Sequence, residues 1–343
     1  MISENGGTSL AAAEEAHSQR IHELEDSFVM SPMQEGMLFQ SLYSPYPDMY
    51  IRQVVATLEE ELNIPALSQA WSRVMARHQV LRAGVRWDYN AEPAMEVYRK
   101  VDLPFAVLDW REVPLLQQAR AVEEFAAADR RKSFDLSRAP LLRVTLIRIG
   151  ESDYRLVWTH HHMISDGYSD PFVLTEVFRF YDLFRQGGSA EIEEARTYKE
   201  QCLWLRRLDL AKAEDFWRNV LEGFTGSPAL VIGRDGHRGN EHPEHRGEQR
   251  LSLPEDLTSA LNAFSQRNHL TLNSMFQGVW GLLLSRYTGE DDVVFGALRA
   301  CRRSALDGRG GLGIAGPFIN TVPVRLRIRR SESVVSWLKG VRE

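Results

Sequence analysis

The residues best suited to chemistry in this sequence form a histidine cluster that is followed by a carboxylate and a glycine. His161 and His162 are adjacent, and Asp166 and Gly167 follow them closely. A neutral imidazole can take a proton from an attacking amine or hydroxyl near neutral pH. Gly167 lets the backbone approach a substrate closely and could offer its N–H to a developing oxyanion. Asp166, on a predicted tight turn, is better suited to fix the loop by pairing with an arginine.

Two other interpretations of the cluster compete with acid–base chemistry. In an extended strand, His160 and His162 would point to one side and, with Asp166, would form a two-histidine, one-carboxylate metal site. Alternatively, the histidines are polar strand-end residues whose hydrogen bonds are satisfied. The histidines between residues 237 and 245 lie in a stretch that is typical of a solvated loop, so they give the metal site little support. The tandem histidines with Asp166 and Gly167 favour acid–base chemistry. Since no GxSxG nucleophile elbow is present, direct attack of one substrate on another is favoured.

A β-hairpin is predicted to position the histidines. The apolar runs Leu141–Ile149 and Tyr154–Thr159 are separated by the turn residues Gly150–Asp153, which is typical of two paired strands. After Gly167, the stretch Phe172–Arg185 has the pattern of a helix. The histidines therefore lie at the exit of a strand and before a helix.

Two earlier helices have clear start signals. One is predicted to begin at Ser31-Pro32, and the other begins after Asn63, which can cap its first turn. Arg77 and Arg82 flank the end of the second helix. They are either a solvated helix end, favoured there by the helix dipole, or buried counter-charges for a carboxylate.

Two lobes are predicted, with a linker at Gly187-Gly188-Ser189. Residues 1–25 are polar and alanine-rich and are expected to form a flexible leader. Residues 26–186 would form the N-terminal lobe with the histidine cluster, and residues 187–343 the C-terminal lobe. Both halves mix helices with strands, and hairpins and long connections join the strands. This favours an α+β fold over a doubly wound Rossmann sheet.

The composition excludes several classes of protein. The 343 residues contain 41 Lys and Arg against 47 Asp and Glu, for a net charge of −6, so the chain carries no general signature of nucleic-acid binding. Cys202 and Cys301 are far apart in the sequence, which predicts neither a disulfide framework nor a cysteine zinc site and favours the cytoplasm. No apolar run is long enough for a membrane span, and no signal peptide is recognisable.

Five segments of the chain, in order, resemble the motifs of one family. They are Ser31-Pro32-Met33-Gln34-Glu35-Gly36-Met37-Leu38, Arg77-His78-Gln79-Val80-Leu81-Arg82, His161-His162-x-x-x-Asp166-Gly167, Tyr198-Lys199-Glu200-Gln201-Cys202-Leu203-Trp204 and Gly316-Pro317-Phe318-Ile319-Asn320-Thr321-Val322-Pro323-Val324. They resemble the motifs of condensation domains of nonribosomal peptide synthetases, including HHxxxDG and RHxxLR, within the chloramphenicol-acetyltransferase-like superfamily. The match is loosest in the fourth motif, where Gln201-Cys202 replaces the usual Tyr-Ala.

The resemblance implies a fold and a reaction. It implies two chloramphenicol-acetyltransferase-like lobes in a V, with a tunnel that donor and acceptor peptidyl carrier proteins enter from opposite faces. The acceptor's amine would attack the donor's thioester and form an amide bond, in an assembly line that also holds an adenylation domain and makes an antibiotic or another secondary metabolite. No metal or bound cofactor is implied, since phosphopantetheine arrives on the carrier proteins. The chain is expected to be a cytoplasmic monomer.

The resemblance also implies roles for particular residues. His162 would stand at the reaction centre, either as a base or as a group that positions the amine. Asp166 would pair with Arg302 or with an arginine of the second motif. The residues expected to structure the site are His161, Asp166, Gly167, Arg302, Arg77 and Arg82, and those expected at the substrate tunnel are Ser169 and Asn320.

The sequence departs from the family in two places. Before the fifth motif the family usually has Gly-Arg-Pro, whereas this chain has Cys301-Arg302-Arg303 and keeps only the arginine. The family's domain also continues well beyond the fifth motif, so we expect the C-terminal lobe to be incomplete in a chain that stops at Glu343. Alternatives within the superfamily are an epimerization domain, a free-standing acyltransferase and a catalytically silent recruitment module.

Overall fold

The computed structural model describes residues 23–46, 48–88, 91–189, 195–226 and 249–341. The predicted leader and the predicted histidine-rich loop lie almost entirely outside these ranges. The helices are α1 (Pro32–Tyr43), α2 (Ile64–Arg77), α3 (Leu115–Arg130), α4 (Ser169–Arg185), α5 (Tyr198–Leu205), α6 (Leu210–Leu221), α7 (Glu255–Arg267), α8 (Leu272–Thr288) and α9 (Val334–Gly340). The strands are β1 (Leu24–Val29), β2 (Ile51–Leu58), β3 (Ala83–Asp88), β4 (Ala91–Tyr98), β5 (Phe105–Asp109), β6 (Leu142–Arg148), β7 (Tyr154–His161), β8 (Asp292–Ala300) and β9 (Ile319–Arg327). The mixture confirms the predicted α+β class.

The strand before the histidines lies inside a four-stranded sheet of order β2-β7-β6-β5. Strand β7 pairs antiparallel with β6, as the hairpin prediction requires, and antiparallel with β2, where Ile51 lies opposite His161. Leu156 and Trp158 belong to the main core, whereas Val157 belongs to a small cluster with Val122 of α3. Because both faces of the sheet are covered, the middle of β7, Leu156–Trp158, is apolar at consecutive positions instead of alternating.

Local capping sets the ends of the helices around this sheet. Ser31 accepts a hydrogen bond from the backbone of Gln34 at the start of α1, and Asn63 accepts one from Ala66 at the start of α2. Both predicted helix starts are therefore confirmed. Helix α4 begins at Ser169, three residues before its predicted start, because the Asp166 carboxylate accepts N–H groups at its first turn.

The chain divides into two compact units, of which the first contains residues 1–208 and 300–320. Its main core includes Trp71, Trp158 and Tyr198, together with Leu306 and Phe318 from the later segment. These bounds differ from the predicted boundary at residue 187, because Tyr198 and Cys202, together with Leu306 and Phe318, are buried in the core of the first unit. Every residue of the candidate site described below belongs to this unit.

The second unit contains residues 209–299 and 321–343. Strands β8 and β9 form a two-stranded sheet, and Leu326 and Leu338 pack closely over glycines of α8. A Cβ atom built at Gly281 would lie 2.6 Å from Leu326, and one at Gly278 would lie 2.4 Å from Leu338. Within the ranges that the structure describes, no helix is long and apolar enough to cross a membrane.

Candidate active site

His162 lies just past the end of β7, half-buried, with one ring nitrogen fixed by the backbone. Its main-chain N–H donates to the carbonyl of Tyr50, at 2.8 Å. Its Nδ1 lies 2.8 Å from the carbonyl oxygen of Ser165. Since a carbonyl oxygen only accepts, Nδ1 must carry the proton of the neutral ring. The lone pair is therefore on Nε2, the nitrogen that could accept a proton from a substrate.

The surroundings of His162 keep its imidazole neutral. Burial lowers the pKa of His162 below its usual value, and the positive charge of Arg52 and the neighbouring His160 lower it further. Hydrogen bonds with the backbone act in the opposite direction but do not reverse the effect. At neutral pH the ring is therefore a proton acceptor and a hydrogen-bonding group, not a cation.

His161 is held in the opposite tautomer. Its Nδ1 accepts the N–H of Met163, at 3.2 Å, so the proton of the neutral ring is on Nε2, which lies 3.3 Å from the hydroxyl of Ser41. The side chain is only 2% exposed, and burial lowers the pKa of His161 to about 3. Both ring nitrogens are engaged within the protein, unlike those of His162.

His160 does not assemble with His162 and Asp166 into a metal site. Its ring is fully buried and packs on Trp158, with ring centroids 4.4 Å apart. Its Nε2 approaches Asp170 to 3.2 Å without the alignment of a hydrogen bond. Across the described ranges, no group of three or more His, Cys, Asp or Glu side chains is placed to hold a metal ion.

Asp166 is buried and receives hydrogen bonds on both carboxylate oxygens. Its Oδ1 accepts from the N–H groups of Tyr168 and Ser169 at 3.1 and 2.8 Å, and from Nη2 of Arg302 at 3.1 Å. Its Oδ2 accepts from the N–H of Phe318 at 2.8 Å. The carboxylate therefore links the loop after the histidines to the segment that runs from Arg302 to Phe318, which is a structural role.

Arg302 pairs with Asp166 and also contacts an aromatic ring, a hydroxyl and backbone carbonyls. It is 5% exposed, and its guanidinium lies over the ring of Phe318, 4.1 Å from the centroid. Its Nη1 donates to the carbonyls of Gly311 and Ile314, at 2.7 and 2.6 Å, and its Nη2 also donates to the Ser169 hydroxyl at 2.8 Å. The guanidinium thus fixes the loop before β9 through the backbone carbonyls of Gly311, Ile314 and Gly316.

The arginines of the second motif have other partners. Arg77 pairs with Glu176 of α4, with Nε 3.3 Å from Oε1. Arg82 pairs with Glu25 at 2.8 Å and donates to backbone carbonyls. The suggestion that either one holds Asp166 is therefore wrong. The solvated helix end is also wrong for Arg82, which is 7% exposed and acts as a buried counter-charge.

Ser169, which is predicted to lie at the substrate tunnel, makes all of its described hydrogen bonds within the protein. Its side chain is fully buried. Its hydroxyl donates to the carbonyl of Gly316 at 2.8 Å and accepts from Arg302 and from the N–H of Gly316. The Ser169 hydroxyl therefore satisfies the hydrogen-bonding groups of Arg302 and of the Gly316 backbone, which an apolar side chain at position 169 would leave without this partner.

Gly167 and Asn320 are both exposed. A Cβ atom built at Gly167 would lie 3.8 Å from Nη2 of Arg52, which is an ordinary contact, so sterics alone do not require glycine there. Asn320, near the start of β9, lines a cavity of about 250 Å³ with Tyr198, Gln201 and Phe318. Gln201, where the sequence departs from the family pattern, thus lines the same cavity as Asn320.

Sequence reasoning missed a second carboxylate beside the histidines. Asp170, in the first turn of α4, accepts from Nε and Nη2 of Arg52 at 3.2 and 2.9 Å. Its other oxygen accepts from the Ser165 hydroxyl at 2.5 Å. Ser165 is the residue whose carbonyl fixes His162. Arg52 lies more than a hundred residues away in the sequence, so no local pattern joins it to Asp170.

Comparison with known proteins gives relatives over almost the whole chain. A sequence model described as "Condensation domain" matches residues 24–343. A linear gramicidin synthase polypeptide of Brevibacillus parabrevis is 38% identical over 320 residues, covering 93% of this chain and 4% of that protein. Bacitracin synthase 1 of Bacillus licheniformis is 30% identical over 318 residues, covering 92% of this chain and 6% of that protein. The chain thus spans a small part of these relatives' length.

Solved structures share the fold. The first condensation domain of the calcium-dependent antibiotic synthetase, in complex with a substrate analogue, aligns with a TM-score of 0.73 at 17% identity, covering 93% of this chain and 74% of that one. The condensation domain from the Monacolin K polyketide synthase MokA aligns with a TM-score of 0.75 at 18% identity, covering 93% of this chain and 72% of that one. These likenesses confirm the predicted fold. The expected incompleteness of the C-terminal lobe stays a prediction.

Proposed function

Because the chain belongs to the condensation domain family, we propose that it forms an amide bond between two substrates, each presented as a thioester. The donor is an acyl or peptidyl group on one carrier protein, and the acceptor is an aminoacyl group on another. The acceptor's α-amine attacks the donor's carbonyl carbon, a C–N bond forms, and the C–S bond breaks to release the donor carrier's thiol. The amine proton leaves for a base or for solvent.

The observation that carries this proposal is the single available nitrogen of His162. Its Nδ1–H is committed to the Ser165 carbonyl, so Nε2 is a fixed acceptor for an N–H of the incoming amine. A lowered pKa keeps that nitrogen unprotonated at neutral pH. Deprotonating an ammonium is easy near neutral pH, so holding the amine in line contributes at least as much as removing its proton.

The partners and the setting follow from the proposed reaction. Phosphopantetheine would arrive on donor and acceptor carrier proteins, so the domain itself needs no bound cofactor. An adenylation domain would lie in the same synthetase to load the acceptor. We propose a monomer that works in the cytoplasm, where such assembly lines obtain ATP and amino acids. Names of relatives such as linear gramicidin synthase are in keeping with secondary metabolism.

The test is a condensation assay with purified protein. Carrier proteins loaded with the common amino acids, in both configurations at the donor position, are mixed in pairs, and carrier-bound dipeptide is detected by intact mass. Wild type should give dipeptide with at least one pair, and His162→Ala should reduce its rate by about 10²–10⁴-fold while keeping the circular dichroism spectrum. Arg120→Ala, on the exposed face of α3, is the control and should behave as wild type.

Two results would contradict the proposal. The first is that wild type forms no dipeptide with any pair, and the second is that His162→Ala keeps the full rate. Chiral analysis of the carrier-bound residues in the same samples identifies the competing reaction. Inversion of the α-carbon without amide formation would indicate an epimerization domain.

A further inference from the structure

Arg52 and Asp170 form a partly buried ion pair beside His162 that the proposed reaction has not used. Asp170 is 4% exposed, and the Arg52 side chain is 37% exposed. Two nitrogens of Arg52 donate to the same oxygen, Oδ2, at 3.2 and 2.9 Å. The pair links strand β2 to the first turn of α4, so it lies across the loop that carries the histidine.

Ser165 connects this pair to the imidazole. Its side chain is fully buried, and its hydroxyl donates to Oδ1 of Asp170 at 2.5 Å. Its carbonyl oxygen accepts the Nδ1–H of His162 at 2.8 Å. One residue therefore receives its orientation from Asp170 and passes it to His162. A rotation of the peptide after Ser165 would break the contact between its carbonyl and His162, and the hydrogen bond from the Ser165 hydroxyl to Asp170 holds the residue against such a movement.

We propose that Arg52 and Asp170 are a positioning pair for His162, which fix its Nδ1–H tautomer through Ser165 and balance the charge around its ring. This inference rests on the proposed role of His162. It assigns a further function to two residues that lie outside the histidine motif. Asp166, by contrast, fastens a different part of the loop, through Arg302.

The charges around His162 make the proposal testable by sign. Arg52 on β2 and His160 and His161 on β7 are the titratable or charged groups that act on His162, and Asp170 on α4 lies against Arg52 and His160. Arg52 lowers the pKa of His162, and Asp170 compensates for part of that cation. Removing the charge of Arg52 leaves an unbalanced carboxylate, which should raise the pKa of His162. Removing the charge of Asp170 should lower it.

A matched control exists elsewhere in the same sheet. Asp129 of α3 is 5% exposed and accepts from Nε of Arg143 at 2.8 Å and from the Thr159 hydroxyl at 2.6 Å. Like Asp170, it pairs with an arginine and accepts from a hydroxyl, although its further neighbour is the Gln53 amide rather than His160. Asp129→Asn reproduces the structural cost of Asp170→Asn but should leave the titration of His162 unchanged.

The experiment is a pH titration of the whole chain with isotope-labelled histidine, followed by NMR. The His162 signals are identified as those missing from His162→Ala. Arg52→Gln should raise the apparent pKa of His162 and with it the protonated fraction at a given pH, and Asp170→Asn should lower both. The double variant should lie closer to wild type than either single variant. The ¹⁵N shifts should report the Nδ1–H tautomer in wild type and a mixture in Asp170→Ala.

The inference is overturned if the single variants leave the pKa and the tautomer of His162 as Asp129→Asn leaves them. Asp170→Asn, which is nearly isosteric, decides the matter should Arg52→Gln fail to fold. In the condensation assay the acid limb of kcat/KM should move in the same directions as the pKa. Absence of dipeptide with wild type would contradict the proposed function alone, because the titration needs no substrate.

Discussion

Removing Arg302 should destabilise the first compact unit strongly. Arg302→Leu keeps much of the apolar contact with Phe318 but leaves the Asp166 carboxylate, which is 1% exposed, without a counter-charge. Breaking a buried ion pair by removing one partner costs about 3–5 kcal/mol. Hydrogen bonds to three backbone carbonyls are lost as well. Three N–H groups still donate to the carboxylate, so we expect the free energy of unfolding to decrease by about 4 kcal/mol and not more.

Asp166→Asn tests the same contact from the other side. Both carboxylate oxygens accept N–H groups, so the amide NH2 of an asparagine must face a donor in either orientation. We therefore expect a loss of about 2–4 kcal/mol although the shape is conserved. The double variant should lose less than the sum of the two single losses, because the two side chains act on each other directly.

The measurement is urea unfolding of the full chain, followed by circular dichroism and by tryptophan fluorescence. Two probes are needed because two compact units can unfold separately. The transition of the first unit should move to lower urea in both variants, whereas Arg120→Ala, at an exposed ion pair, should leave it in place. If the urea midpoints of Arg302→Leu and Asp166→Asn match that of Arg120→Ala, the contact between Asp166 and Arg302 does not stabilise the first unit.

Three further predictions concern single residues. Because the folded-state pKa of His161 is lowered to about 3, the unfolded chain binds a proton that the folded chain refuses between pH 6.5 and about 3. The free energy of unfolding should therefore decrease as the pH is lowered through that window, by up to about 1.4 kcal/mol per pH unit. In urea titrations at several pH values, His161→Asn should make the free energy of unfolding depend less on pH. Gly316→Ala should destabilise the protein by about 2–4 kcal/mol, because φ at Gly316 is +144° and a Cβ atom would lie 2.3 Å from Tyr198. Gly36→Ala on α1 should instead stabilise it by about 0.5–1 kcal/mol, because a Cβ atom there meets nothing within 4 Å. Thermal melts of both variants compare the two. Burial raises the pKa of Cys202 to about 12, so its thiol should resist iodoacetamide in the folded protein and react in urea, and rapid labelling under native conditions would contradict its placement.

Some elements were predictable because their signals are local. The capped starts of α1 and α2 are set by side chains three residues from the N–H groups that they accept. The hairpin of β6 and β7 needs only a turn between two apolar runs. The histidine motif is also local, since its spacing is unaffected by the rest of the chain. These features could therefore be placed from the sequence to within a few residues.

Other elements depend on distant partners. Strand β1 carries charged residues that no strand pattern favours, and it forms because β4 supplies its hydrogen bonds. Helices α5 and α6 are close in the sequence but are separate elements, with residues 206–209 between them. The placement of residues 300–320 in the first unit follows from the burial of Leu306 and Phe318, which the linear order of the chain does not show.

The sequence by itself determined that this chain carries a tandem histidine at the exit of a strand, with a carboxylate behind it. Only the tertiary structure decided which arginine pairs with that carboxylate, because Arg77, Arg82 and Arg302 are equally cationic and differ only in which residues lie within reach. It also decided that His162 and His161 have opposite tautomers. The partner of each ring nitrogen sets its proton: Met163 and Ser41 do so for His161, and the carbonyl of Ser165 does so for His162.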